Sequence, residues 1–273
     1  MKSTFKEAVV LINGGASGIG KELAYQLGEL GSQIIVADRN GSAAKHVYKE
    51  LISRGVSANY KKVEMTDASA VKELVDSVLK EYGRIDYVFN SAGIFMGGEF
   101  RDTPIEKWEA VAANNINAIM NGTHFAYQVM LKQKHGAIIN FGSAAGLHPV
   151  PAMGIYGSTK YAIVGLSLAL RNEAKDFGVN VSVVCPTVVD TPLYDTAIYN
   201  KVTIEKLSKR RQSLQKPDTA ARRIIKGVAR NRATIHTSFG TKVTSAVYRV
   251  APWLYDGVSR RIIQAYRRNI RDE

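Results

Sequence analysis

The sequence predicts a doubly wound α/β domain, a parallel sheet of about seven strands with helices on both faces. Three observations predict it. Short β-branched apolar runs alternate with segments of helical length and period along most of the chain. The runs are apolar at consecutive positions, as strands covered on both faces are. A glycine-rich stretch follows the first run directly and opens a helix.

Taken in order, AVVLIN (8–13) is the first strand and 18–31 the first long helix. QIIVAD (33–38) precedes a helix over 42–54, and SANYKKV (57–63) a helix over 67–82. IDYVFN (85–90), GAIINF (136–141), VNVSVVCP (179–186) and ATIHT (233–237) continue the strands, with GIYGSTKYAIVGLSLALRNEA (154–174) helical between the second and third of these. No Pro/Gly/Ser-rich linker and no solenoid-period repeat interrupts the pattern, which predicts one domain over 1–240. Residues 241–273 read as a helical extension of it: Pro252 opens a second helix there, and Leu254, Val258, Ile262, Tyr266 and Ile270 recur every four residues.

The stretch Asn13-Gly14-Gly15-Ala16-Ser17-Gly18-Ile19-Gly20 makes the first chemical statement. Glycine permits the turn and lets the backbone approach a pyrophosphate, while the amides and dipole of the helix behind it face the phosphates. Asp38 ends the second strand 18 residues after Gly20. A carboxylate there accepts both hydroxyls of an adenosine ribose and repels the 2′-phosphate of NADP, so NAD is the preferred cofactor. Arg39 beside it could pair with that phosphate, which keeps NADP open. The second statement is Tyr156 and Lys160, four residues apart on one helix face. A tyrosine is a poor acid or base at neutral pH unless a nearby cation stabilises its phenolate. YxxxK alone is common on surface helices. Ser143, just past GAIINF and so at the carboxyl edge of the sheet, gives the pair a third partner, a second hydroxyl, where open α/β sheets bind ligands.

These ordered motifs resemble the short-chain dehydrogenases/reductases, a family of one-domain Rossmann-fold enzymes, from about residue 8 to about residue 236. Gly14, Gly18 and Gly20 match the family's TGxxxGxG loop, which also holds Ser17 and Ile19. Asp67 matches its adenine-contacting aspartate, and Asn90-Ser91-Ala92-Gly93 its NNAG, making Asn90, Ala92 and Gly93 cofactor-bordering. Asn115 matches the active-site asparagine, with Asn114 and Asn117 the alternatives. Ser143, Tyr156 and Lys160 match the catalytic Ser, Tyr and Lys, and Pro186, Val189 and Thr191 the stretch that holds the nicotinamide carboxamide. Asn13, Ser91 and Thr187 depart from the pattern, Thr187 most, because a β-branched residue does not readily take positive φ where the family has glycine.

The resemblance implies hydride transfer between a nicotinamide and a secondary alcohol or ketone. Tyr156 would act as acid or base, Ser143 would hold the substrate oxygen, and Lys160 would hold the ribose and lower the tyrosine pKa. Asn115 would anchor a water that passes protons out by way of Lys160. Residues 191–217 fall where the family places a substrate lid. Leu193, Tyr194, Ile198 and Tyr199 give that segment an apolar side, basic residues follow at 206–211, and His148 and Met153 are further pocket candidates by position. The apolar lid favours a lipophilic, hydroxysteroid-like or keto-lipid substrate. A homodimer or homotetramer is expected.

Composition bounds the rest. The apolar fraction is 45% and the aromatic fraction 8%, which excludes a disordered or fibrous chain. The single Cys185 forms no intramolecular disulfide, the remaining histidines lack metal-ligand spacing, and neither a signal-peptide core nor a membrane-spanning run is visible, so a cytoplasmic protein without a metal site is expected. The formal charge is +13, and residues 200–273, with 18 basic and 5 acidic side chains, supply all of it. An arginine-rich amphipathic segment at 241–273 fits an anionic membrane surface, or a helix docked on its own domain or a partner. The alternative to the enzyme is a non-catalytic nucleotide-binding or regulatory protein with a basic tail. Neither a stacking-aromatic module nor a zinc motif accompanies the charge, which speaks against nucleic acid.

Overall fold

A computed structural model describes residues 2–195, 197–199 and 214–269. The basic stretch 206–211, Ile270 and Arg271 lie outside the described residues. Helix α1 (Lys2–Phe5) precedes β1 (Val9–Asn13), α2 (Gly18–Glu29), β2 (Gln33–Asp38), α3 (Gly41–Ser53), β3 (Ala58–Lys62), α4 (Ala68–Tyr82) and β4 (Tyr87–Asn90). A two-residue strand β5 (Met96–Gly97), helix α5 (Ile105–Ala112), a π-turn (Ala113–Asn117) and α6 (Ala118–Gln133) lead to β6 (Gly136–Phe141), α7 (Gly154–Ala174) and β7 (Val179–Cys185). The short β8 (Ile198–Tyr199), then α8 (Pro217–Val228), β9 (Thr234–His236), α9 (Phe239–Val250) and α10 (Pro252–Asn269) complete the described chain.

The main sheet has seven strands in the order β3-β2-β1-β4-β6-β7-β9, all parallel. Strand β1 shows why the run is apolar throughout. Val10 and Ile12 join one buried layer with Leu23, Leu27 and Ile224, while Val9 and Leu11 join the other with Val71, Val75 and Ile138. Successive side chains alternate faces, so a strand packed on both sides needs no polar positions. The sheet-order reversal falls between β1 and β4, whose crossovers leave toward opposite faces, and there the strand ends part to leave a crevice.

A chain of buried amides ties this point to the neighbouring strand. Asn13 Nδ2 donates to Asn90 Oδ1 (2.7 Å), Asn90 Nδ2 to Asn140 Oδ1 (2.9 Å), and Asn140 Nδ2 to Ser167 Oγ (3.1 Å). Thr123 Oγ1 donates to the same Asn140 oxygen (3.0 Å). Gly122 makes room for the chain, since a Cβ at that position would lie 2.1 Å from Asn90 Oδ1. These buried amides are tolerated because most of their polar atoms satisfy one another, Asn13 Oδ1 being the exception.

The segment expected to form the lid begins without a long helix. A single 3₁₀ turn (Pro192–Tyr194) leads to β8, which pairs with β5 in a separate two-stranded ribbon. No helix among the described residues is long and apolar enough to cross a membrane.

Candidate active site

The crevice at the carboxyl ends of the strands has a volume of about 380 Å³. Gly14, Ser17, Gly18 and Ile19 form its floor at the start of α2, with Asp38 and Arg39 at the end of β2 on one side. Ala92 and Gly93 follow β4, and Ser143, Tyr156, Lys160, Pro186, Val189 and Thr191 close the other side. Gly14 has φ +78°, and a Cβ there would sit 2.8 Å from Ala92 N, so the backbone of the first loop passes directly under the fourth strand's exit. The Asp38 carboxylate is fixed at the rim, Oδ2 accepting from Ala16 N (3.2 Å) and Oδ1 from Asn40 N (3.0 Å).

At the other end Tyr156 and Lys160 are both buried on the first turns of α7. Burial pushes the Tyr156 hydroxyl up to about 12, against a hydrogen bond from the Ser143 side that pulls it down. Burial pulls the Lys160 ammonium down to about 8. The expected lowering of the tyrosine relies on a charged nicotinamide as well as on the lysine, and without the nicotinamide burial dominates. Lys160 Nζ donates to Phe141 O (3.1 Å) and lies 5.5 Å from the Tyr156 ring centroid, so burial outweighs it. The tyrosine is held as a neutral proton donor.

Four expected cofactor or catalytic residues do not line the crevice. Gly20 packs inside the turn, where a Cβ would meet Gly14 O at 2.1 Å, so it serves close helix–strand contact. Asn90 belongs to the amide chain beneath the floor. Asp67 caps α4, its Oδ1 accepting from Ser69 Oγ (2.6 Å), Ala70 N (3.1 Å) and Ser69 N (2.9 Å), and these bonds, the Ser69 hydroxyl's first, hold its carboxyl below the usual range. Glu64, which follows β3 by two residues, stands on the crevice wall instead. Asn115 sits behind the wall in the π-turn, fully buried. Its Oδ1 accepts from Ile94 N (2.7 Å), and its Nδ2 donates to Ile94 O (3.0 Å) and Thr159 Oγ1 (3.1 Å). Thr159 Oγ1 in turn donates to Tyr156 O (2.8 Å), linking the asparagine to the tyrosine's own turn. Gly93 keeps this corner open, for a Cβ there would lie 2.9 Å from Asn115 Oδ1 and 3.6 Å from Lys160 Nζ.

Thr159 and Phe95 were not foreseen from the sequence. Phe95 meets Tyr156, Tyr194 and Tyr199 edge-on at ring separations of 4.9, 5.1 and 6.1 Å. Leu193 and Tyr194 line the crevice as expected of the lid segment, and Met153 packs into the same aromatic cluster. His148 turns away from the pocket, with Nδ1 2.8 Å from Tyr255 Oη on α10. Thr187 avoids positive φ, and its amide donates to Thr237 Oγ1 (3.2 Å).

The donor set fits a dinucleotide. It offers a carboxylate for a ribose diol, a helix N-terminus for a pyrophosphate, and an ammonium with two hydroxyls at the far end. Fold and site together define a doubly wound α/β domain of the Rossmann type. Residues 8–200 match the family model of the short chain dehydrogenases, and the chain belongs to that family. The probable oxidoreductase EphD of Mycobacterium tuberculosis is 30% identical over 280 residues, a match covering 98% of this chain and 45% of that protein. This chain thus spans under half the length of that relative. The dehydrogenase LinX of Sphingobium indicum, named for 2,5-dichloro-2,5-cyclohexadiene-1,4-diol, is 33% identical over 185 residues, covering 68% of this chain and 74% of that one. The structure of a short chain dehydrogenase/reductase from Burkholderia phymatum in complex with NAD superposes with a TM-score of 0.84 at 25% identity, covering 92% of this chain and 96% of that chain.

Proposed function

We propose that this protein interconverts a lipophilic secondary alcohol and its ketone with NAD, NADP being the weaker cofactor. The observation that carries the reading is the meeting of buried Tyr156 and Lys160 with half-buried Ser143 at one end of a crevice whose other end is the Asp38 carboxylate. Asp38 would hold the adenosine ribose, the amides from Gly14 to Ile19 the pyrophosphate, Lys160 the nicotinamide ribose, and Pro186, Val189 and Thr191 the carboxamide. The bound nicotinamide supplies or accepts the hydride.

The chain's own residues do the rest. The Ser143 and Tyr156 hydroxyls bind the substrate oxygen, and in the reducing direction Tyr156 gives its proton to that oxygen as negative charge develops on it. In the oxidising direction the tyrosine takes the proton back, which requires the phenolate. Burial opposes that form, and the Lys160 ammonium must favour it. Asn115, both ends of its amide engaged, holds the proton-relay water with its main chain. A negative charge at Asp38 repels a 2′-phosphate, and the NAD-bound neighbour supports the same preference. The aromatic cluster of Phe95, Tyr194 and Tyr199, which reaches the crevice through Tyr194, supports a lipophilic substrate. The reading extends to a homodimer or homotetramer.

The test is Tyr156→Phe assayed with NAD and with NADP on a panel of hydroxysteroids, keto-lipids and polyols. Turnover of the wild type on a lipophilic member, with a loss of about 10²–10⁴-fold in the variant and unchanged NADH binding, is the expected result. Full activity in Tyr156→Phe would overturn the mechanism, and turnover of polyols alone would overturn the substrate class.

A further inference from the structure

The last two helices present the wrong face to water. Helix α9 buries Thr241 and half-buries Ser245 and Tyr248, whereas Phe239, Val243, Val247 and Val250 on the opposite side are exposed. At the corner into α10 the exposure stays high: Val250 75%, Trp253 68% and Leu254 59%. Val258 and Ile262 continue the apolar line along α10 and are exposed too. An exposed contiguous apolar patch of this kind marks an interaction surface.

Charge decides the occupant. Residues 239–268 carry Lys242, Arg249, Arg260, Arg261, Arg267 and Arg268 against a single acid, Asp256. Lys242 and Arg249 lie beside the α9 stripe, and Arg261 lies next to Val258 and Ile262 on the α10 helical wheel. A second copy of the chain docking on this face about a two-fold axis would set like charges against each other. An anionic bilayer satisfies both features, burying the apolar stripe in the headgroup boundary while lysine and arginine meet phosphates.

The hairpin is held ready in that orientation. Tyr255, buried beneath it, donates to Pro149 O (2.6 Å) and meets His148 Nδ1, so the loop between Ser143 and Tyr156 is tied to α10. Arg267 reaches Glu99 with both Nε (2.8 Å) and Nη2 (3.0 Å), tying α10 to the segment just after β5, near the aromatic cluster. We propose that the α9–α10 hairpin docks this protein on an anionic lipid surface. The inference is independent of the catalytic reading.

Co-sedimentation with phosphatidylcholine vesicles, with and without phosphatidylserine, tests it. The wild-type chain is expected to pellet with the anionic vesicles only, and less as salt rises. Val250→Asp with Trp253→Asp, and separately Arg260→Glu with Arg261→Glu, should each weaken binding at least about tenfold. NADH binding and far-UV circular dichroism show that each variant is folded, and the arginine pair, being exposed, keeps the test alive if the aspartate pair is not. No pelleting of wild type, equal pelleting with neutral vesicles, or undiminished binding in a folded variant would overturn the proposal. So would a lipid-free dimer that the aspartate pair dissociates, because the face would then be a subunit contact.

Discussion

Tyr156 and Lys160 carry opposite consequences of one cause. Removing a phenol and an ammonium from water disfavours the charged form of each, so the first is driven up and the second down. For the lysine this becomes a stability statement. Between its folded value of about 8 and its ordinary 10.5 the unfolded chain binds a proton that the folded chain has released, so stability rises with pH across that window. Lys160→Met removes this dependence. Urea unfolding should therefore show wild type gaining on the variant as pH rises through the window, and parallel profiles would contradict the burial argument. Asp67 and Glu64 separate in the same manner. Asp67→Ala should lower Tm and leave NADH affinity unchanged, because its carboxylate serves α4. Glu64→Ala should change NADH affinity and leave Tm nearly unchanged, because it stands on the crevice wall. An aspartate at the start of the helix expected over 67–82 is a capping residue by type, and the structure puts it at the N-cap.

At the scale of elements, what the sequence displayed was what repeats. Strands buried on both faces announce themselves as unbroken apolar runs, and all seven of the main sheet were readable, to within two residues at each end. The ribbon of β5 and β8 was not, because two residues a side carry no periodicity and their pairing joins positions about a hundred residues apart. Phe95 was invisible for the same reason: its role depends on three tyrosines reached only through tertiary packing. The Gly122 cradle was equally silent, a helical glycine whose purpose lies in the amide it faces. Gly122→Ala should cost about 1–3 kcal/mol in urea unfolding, by overpacking against Asn90 and bending its hydrogen bonds. A neutral substitution would mean that the helix shifts without cost.

For the whole molecule, the uneven charge could be counted from the sequence, but not which side of each C-terminal helix the core would take. The four-residue repeat from Leu254 to Tyr266 predicted an amphipathic helix. The fold instead plants α10 through Tyr255 and Arg267 and leaves much of that repeat in water. Asp38 was legible as a crevice residue because it closes a strand at the carboxyl edge of the sheet. Asp38→Ala should narrow the ratio of kcat/KM for NAD over NADP, and an unchanged ratio would shift the preference to another residue.

The amide chain beneath the crevice has a further consequence. Each link gives its hydrogens away from β1, so the row reads in one direction only and tolerates no carboxylate in place of an amide. Its first member, Asn13, precedes Gly14, the neighbour that most eases hydrolysis of an asparagine side chain once the backbone is loose. Strand pairing restrains that backbone for as long as the domain stays intact. Each excursion to the open chain therefore exposes the row to chemical ageing, and a molecule that has aged cannot rebuild it.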